Sequence, residues 1–214
     1  MMSLRCSAGI NLIAGDNSLG KTFILDVAWW VLTGTWPELG GTHNAARGSR
    51  TASQRIAQPT AVQSHAARIR VFDESDVFAA VASYRDEEWG RPATWPQTRC
   101  PVIYARVDGG YSAWEHRDTA AREPVVPASS IVLLVDEPEI HLHPRWQRRL
   151  LPALLAAAKG LPGGPDVQLL VTTHSPMILT SIESSFDIKR DKIFHLRLDE
   201  DHRVAVSFRI VVAS

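Results

Sequence analysis

The sequence predicts an α/β fold: a mainly parallel core sheet flanked by helices, with antiparallel β hairpins added to it. Three observations carry that prediction. A glycine-rich loop, Gly15-Asp16-Asn17-Ser18-Leu19-Gly20-Lys21-Thr22, stands between an apolar run of strand length, Ile10 to Ala14, and an apolar run of helix length, Lys21 to Thr33. A second run, Ile131-Val132-Leu133-Leu134-Val135, is unbroken by polar residues, as in a strand buried on both faces, and it ends in Asp136-Glu137. A third, Val167 to Thr172, ends in the polar cluster Thr173-His174-Ser175-Pro176. Polar residues that follow buried parallel strands collect at the carboxyl edge of the sheet, where such folds bind ligands.

The first loop matches G-x-x-x-x-G-K-[ST], the phosphate cradle of P-loop nucleotidases, so the expected fold class is a P-loop NTPase. Each residue type has a physical task. Gly15 and Gly20 are expected to let the backbone take up positive φ and turn its N–H groups toward a polyphosphate. The helix start adds its positive dipole end. Lys21 would reach the β- and γ-phosphates, and the Thr22 hydroxyl would be a ligand of Mg²⁺. The bland alternative is a glycine turn before a buried helix, and the strand-loop-helix context argues against it.

With 214 residues, the chain suits one domain, 1–214, with a substantial core. Lys plus Arg and Asp plus Glu both number 23, so a broad electrostatic footprint for nucleic acid is not indicated by charge, though a local patch is allowed. The longest apolar stretch, Val125 to Val135, is interrupted by Pro127 and too short to span a bilayer. No secretory layout precedes the first strand, and two cysteines without metal-like spacing suit a reducing compartment, so a cytoplasmic location is expected.

Met1 to Ala14 reads as an edge segment leading into the first core strand. In the helix that follows, Phe23, Ile24, Val27, Ala28, Val31 and Leu32 recur at helical spacing, and Gly34 is a plausible stop. Trp29, Trp30 and Trp36 read as core, with a base-stacking platform as the alternative. Residues 37–66 lack a sustained apolar period and are expected to be a flexible loop, in which Arg47, Arg50 and Arg55 are either solvated or set to meet phosphates. Residues 67–116 are expected to form an inserted antiparallel lobe of two hairpins, one turning at Asp73-Glu74-Ser75-Asp76 and one at Asp108-Gly109-Gly110. Glu115 to Ser130 reads as a linker.

The strand ending in Asp136-Glu137 has the form of a Walker B element. Asp136 would hold Mg²⁺ and Glu137 would take a proton from the attacking water. Pro144 suits the first turn of a helix whose apolar face carries Leu150, Leu151, Leu154 and Leu155, with Arg145, Arg148 and Arg149 mostly opposite. His141, His143 and Glu139 invite a zinc reading, against which stands a subunit-contact or phosphate-proximal role. His174 either senses a γ-phosphate or caps a short helix from Met177 to Ile182. Residues 131–182 thus form the chemical core, and 193–212 are expected to be a terminal edge hairpin.

The P-loop, Asp136-Glu137-Pro138-Glu139, His141-Leu142-His143-Pro144 and Thr173-His174-Ser175-Pro176, in this order, resemble the ABC-type ATPases of the SMC and RecF kind. More closely they look like the AAA-type ATP-binding proteins related to the overcoming-lysogenization-defect (OLD) nucleases. The resemblance implies ATP and Mg²⁺ as cofactors, with ATP bound between two heads and the second head donating a Ser-Gly signature segment. Trp114 to Ser130, where that segment would lie, contains no Ser-Gly motif, and Gln54, Gln58, Gln63 and Gln97 all stand in turn-like sequence rather than after a core strand. The chain is therefore either a shortened relative or completed by another protein, in a homodimer or with a partner subunit. A nuclease or other effector would have to be separate. On this reading Gly15 through Thr22 bind the nucleotide, Thr22 and Asp136 hold the metal, and Lys21, Glu137 and His174 serve catalysis. Defence against phage or DNA maintenance is what the resemblance implies, with a non-hydrolysing ATP switch as the alternative.

Overall fold

The computed structural model describes residues 6–16, 19–37, 68–72, 78–85, 88–90, 98, 100–115, 129–198 and 204–209. The expected loop at 37–66 lies almost wholly outside the described residues, as do Asn17 and Ser18 of the phosphate loop. Two units are distinguished: 1–25 with 99–214, and 26–98.

The first unit is built on a seven-stranded sheet. In chain order it contains β1 (Ile10–Gly15), the start of α1 (Lys21–Thr33), β5 (Val102–Ala105), β6 (Tyr111–Trp114), β7 (Ser130–Asp136), α2 (Pro144–Lys159), β8 (Asp166–Thr173), α3 (Pro176–Ser181), β9 (Lys192–Leu198) and β10 (Val204–Arg209). A 3-10 turn, Pro138–His141, joins β7 to α2. The strand order is β10-β9-β1-β8-β7-β5-β6. Contacts from β9 through β5 are parallel, and the two outer pairs, β10 with β9 and β6 with β5, are antiparallel.

Alternation along the strands divides the core between the two faces. Ile10 and Leu12 of β1, Ile131, Leu133 and Val135 of β7, and Val167, Leu169 and Val171 of β8 pack with Leu151, Leu155 and Ala158 of α2 and Ile178 of α3. Ile13, Phe194 and Leu196 pack on the other face with Leu19 and with Ile24 of α1. The intervening residues Asp136 and Thr172, register partners at the ends of β7 and β8, therefore belong to the α1 face. The long apolar strands predicted from Ile131 and Val167 are the two that flank this arrangement.

Two expectations differ in placement. Residues 102–114 do form a hairpin turning at Asp108-Gly109-Gly110, but its first strand pairs in parallel with β7 and so belongs to the main sheet. Of the segment 1–14 read as leading in from an edge, the strand part, Ile10 to Ala14, does not lie at an edge, because β1 has β8 on one side and β9 on the other, and residues 1–5 lie outside the described residues. The terminal hairpin consequently contributes an interior strand, β9, and an edge strand, β10.

The second unit holds the remainder of α1 and a three-stranded antiparallel sheet of β2 (Arg68–Phe72), β3 (Phe78–Arg85) and β4 (Glu88–Gly90). The α1 helix ends at Gly34, whose φ of 78° only glycine takes up readily and whose N–H bonds to the Trp30 carbonyl. Trp29, Trp30 and Trp36 are buried, and Trp30 stacks on Trp36 with ring centroids 5.2 Å apart. That burial fits the core reading of the tryptophans.

Candidate functional site

The phosphate loop is tied to the sheet at both of its ends. Gly20 has a φ of 78°, as expected for a loop that must turn into a helix. Gly15 does not share that conformation: it is the last residue of β1, and its requirement is space. A Cβ there would come within 2.8 Å of the Leu196 carbonyl oxygen and 2.9 Å of the Leu196 Cβ on β9. Leu19 is sunk into the apolar cluster with Ile13, Ile24, Phe194 and Leu196, which anchors the far end of the loop.

Lys21 is 3 % exposed, and its ammonium has three acceptors. It donates to the carbonyls of Gly15 at 2.9 Å and Asp16 at 2.8 Å, and it meets Glu137 Oε1 at 2.9 Å. The cation of the P-loop and the second carboxylate after β7, far apart in sequence, are thus in direct contact. Thr22 follows on the first turn of α1 and is partly exposed.

Glu137 stands in the left-handed region, at φ 42° and ψ 55°, the single non-glycine residue with positive φ among those described. Such a conformation costs on the order of 1–3 kcal/mol and persists only where the surroundings enforce it. Thr172 does so, since the Glu137 N–H bonds to both the carbonyl and the hydroxyl oxygen of Thr172, each at 3.1 Å. The same hydroxyl donates to Asp136 Oδ1 at 2.5 Å. One threonine on β8 therefore orients both carboxylates.

His174 extends this constellation. Its Nδ1 lies 3.1 Å from Glu139 Oε1 and 3.9 Å from Glu137 Oε2, while its side chain remains 40 % exposed. Glu139 is buried, and its Oε1 also accepts from the Thr173 hydroxyl at 2.7 Å and from the backbone N–H groups of His174 at 2.7 Å and Ser175 at 3.2 Å. Gln147 of α2 closes the circuit: its amide nitrogen donates to the carbonyls of Glu139 and Leu142, and its oxygen accepts from the Ser175 hydroxyl. Ser175 itself caps α3 by accepting from the Met177 N–H, so the capping role considered for His174 belongs to its neighbour.

The residues raised for zinc are engaged separately. His141 Nε2 bonds to the Val107 carbonyl in the β5–β6 turn, His143 Nδ1 accepts from the Arg145 N–H as the N-cap of α2, and Glu139 holds the loop after β8. Among the described residues no three His, Cys, Asp or Glu side chains converge as a metal cage. What the site does offer, a buried carboxylate held by a hydroxyl and a further hydroxyl at a helix start, are hard oxygen donors. They suit Mg²⁺, which keeps much of its water and shares phosphate oxygens. The glycine-lined turn and the three-donor ammonium suit a polyphosphate equally well.

Sequence reasoning named Lys21, Thr22, Asp136, Glu137 and His174, and the structure brings Lys21, Glu137 and His174 into one connected group, with Asp136 joined to it through Thr172. It did not assign roles to Thr172 or Gln147, and it considered Glu139 only beside His141 and His143, as part of a zinc reading weighed against a subunit-contact or phosphate-proximal role. The one available signal was the tight sequence spacing of Glu139 to Glu137, opposite a Thr-His-Ser cluster.

Residues 119–180 match the family model described as "AAA domain, putative AbiEii toxin, Type IV TA system". The chain is similar to "Retron Ec83 probable ATPase" of Escherichia coli, at 40% identity over 53 residues, 25% of this chain and 9% of that protein. It is also similar to "Retron Vc95 probable ATPase" of Vibrio cholerae serotype O1 biovar El Tor, at 36% identity over 53 residues with the same coverage. The chain thus spans about 9% of the length of the curated relatives it matches. The SMC head domain from Thermotoga maritima matches 97% of this chain and 93% of its own, with 13% identity and a TM-score of 0.45. Over residues 119–180 the chain is similar to an AAA-type domain, and the relatives it matches over 53 residues are named probable ATPases, in keeping with the P-loop motif at Gly15 to Thr22. No described helix is long and apolar enough to cross a membrane.

Proposed function

We propose that this chain is an ATP-binding head that hydrolyses ATP with Mg²⁺ and couples its nucleotide state to assembly with a second head or a partner subunit. The observation that carries the reading is the 2.9 Å contact between Lys21 and Glu137, which joins the phosphate-binding loop to the carboxylate suited to activate water. The amides of the Gly15 to Thr22 loop and Lys21 bind and orient the triphosphate. Lys21 exchanges Glu137 for phosphate oxygens, and this frees the carboxylate. Glu137, held in place by Thr172, takes a proton from water as the water oxygen bonds to the γ-phosphorus and the bond to the bridging oxygen of ADP breaks. Thr22 and Asp136 would hold Mg²⁺, whose charge offsets that of the phosphate oxygens. His174, beside Glu137 and open to solvent, meets the γ-phosphate or the water. The names of the retron relatives support ATPase function in general terms, and a partner effector, a nuclease among the candidates, is part of the proposal.

A second reading, a switch that binds ATP without turnover, is favoured by the absence of a Ser-Gly motif between Trp114 and Ser130. Mg²⁺-dependent hydrolysis by the purified chain, with Glu137→Gln as control, separates the two. The expected result is turnover that Glu137→Gln abolishes while ATP binding survives. Binding through Lys21 without any turnover would favour the switch, and failure to bind ATP at all would overturn both.

A further inference from the structure

We propose that Glu139 is a positioning residue that keeps a proton on His174 Nδ1 and thereby makes Nε2 the ring nitrogen that meets the bound nucleotide. For its effect on turnover the proposal rests on the ATPase reading; the proton assignment stands without it.

The argument begins with what Glu139 Oε1 already accepts. Two backbone N–H groups, of His174 and Ser175, and the Thr173 hydroxyl point at this one oxygen. A backbone N–H can only donate, so Oε1 is an acceptor whatever the state of the carboxyl group. Nδ1 stands 3.1 Å from this oxygen, where a bare nitrogen would set its lone pair against those of the carboxylate, so electrostatics favour the hydrogen on Nδ1, and a flipped ring would set a C–H against the oxygen instead. Glu137 does not compete for that proton, because its nearer oxygen is 3.9 Å from Nδ1, beyond hydrogen-bond reach. With the proton on Nδ1, the neutral ring presents a lone pair at Nε2 on its exposed edge. Such a nitrogen accepts from a water molecule, and once protonated it donates to a phosphate oxygen.

Glu139 is well placed to hold this geometry. It is 6 % exposed, and its own backbone carbonyl is fixed by Gln147, which also holds Ser175 at the far end of the same loop. The carboxylate that faces the ring is thus held by a circuit of hydrogen bonds, and the ring meets it at the 3.1 Å contact.

The test uses the full chain, free of nucleotide and labelled with ¹⁵N-histidine, in long-range ¹H–¹⁵N correlation spectra above the histidine titration range. The His174 signals are identified by their loss in His174→Gln. The expected wild-type pattern is a protonated Nδ1 and a bare Nε2. Glu139→Ala shifts the population toward the Nε2–H form that unconstrained imidazole prefers, and Glu139→Gln, which keeps a carbonyl oxygen at the Oε1 position, retains Nδ1–H. An Nε2–H pattern in the wild type, or one unchanged in Glu139→Ala, overturns the proposal. The wild-type spectrum alone decides should the alanine variant fail to fold. In turnover, Glu139→Ala lowers kcat by about tenfold or more with KM for ATP changed by less than about threefold, and Glu139→Gln recovers most of the loss. Equal losses in both variants, or a raised KM at unchanged kcat, overturn the positioning role. A wild type without turnover counts against the ATPase reading and leaves the spectral test to decide this one.

Discussion

Replacing Glu137 by glutamine should make the chain bind ATP more tightly. In the structure the Lys21 ammonium donates to the carbonyls of Gly15 and Asp16 and pairs with Glu137 Oε1 at 2.9 Å. Phosphate can gain the ammonium only by displacing these acceptors, and the carboxylate is the strongest of them. A hydrogen bond to a charged group contributes about 1.5–3 kcal/mol net against about 0.5–1.5 for a neutral one. The Glu137 side chain is 14% exposed, so some screening applies and the lower end of the difference, about 1 kcal/mol, is the proper choice. At about 1.4 kcal/mol per factor of ten, Glu137→Gln should tighten ATP binding roughly fivefold. Loss of repulsion between the carboxylate and the triphosphate acts in the same direction. Titration calorimetry with a non-hydrolysable ATP analogue gives the ratio directly, free of any turnover. An affinity that is unchanged, or weaker in the variant, would refute the idea that Glu137 competes with phosphate for Lys21.

Three further outcomes follow from the packing. Gly15→Ala should destabilise the fold by about 1–3 kcal/mol, because the added Cβ meets backbone and side chain of Leu196 on β9; a change in the urea midpoint worth less than about 0.5 kcal/mol would contradict this. Thr172→Val keeps the volume but removes the hydroxyl shared by Asp136 and the Glu137 N–H, so the gain in ATP affinity conferred by Mg²⁺ should fall by about tenfold, and a Mg²⁺ dependence equal to that of the wild type would count against the shared role. Asp191→Ala strips the carboxylate that accepts from the N–H groups of Ile10 and Asp187, and the buried Ile10 donor then costs about 1–3 kcal/mol, read again from denaturant unfolding.

The parts of the fold legible in the sequence are those that depend on local pattern. The unbroken apolar runs of β7 and β8, the P-loop between a strand and a helix, and Pro144 at the first turn of α2 announce themselves because each is fixed by its own residues. The place of Val102–Ala105 is not of this kind. Its alternating burial, with Val102 and Tyr104 inside and Ile103 exposed, reads as a half-covered hairpin, and only the pairing with Val132 to Val135 assigns it to the core sheet. The same limit applies in the site. Lys21, Asp136 and Glu137 are recognisable by type and spacing, whereas the left-handed turn at Glu137 and the grip of Thr172 on it are made by a strand 35 residues further on. Gln147 is invisible in advance, since nothing in a basic and apolar helix singles out one glutamine until both of its loops are seen beside it.

The double flanking of β1 bears on which parts of the site can yield when nucleotide arrives. A strand bonded along both edges, to β8 and to β9, cannot slide without losing two ladders at once, and the Gly15 contact with Leu196 leaves no slack where the loop departs. β1 and the Gly15 end of the loop are in this sense the fixed side of the site. The segments beyond β7 and β8 stand outside these ladders and are coupled to each other by Glu139 and to α2 by Gln147. The helix so coupled bears Arg145, Trp146, Arg148 and Arg149 on its solvent side.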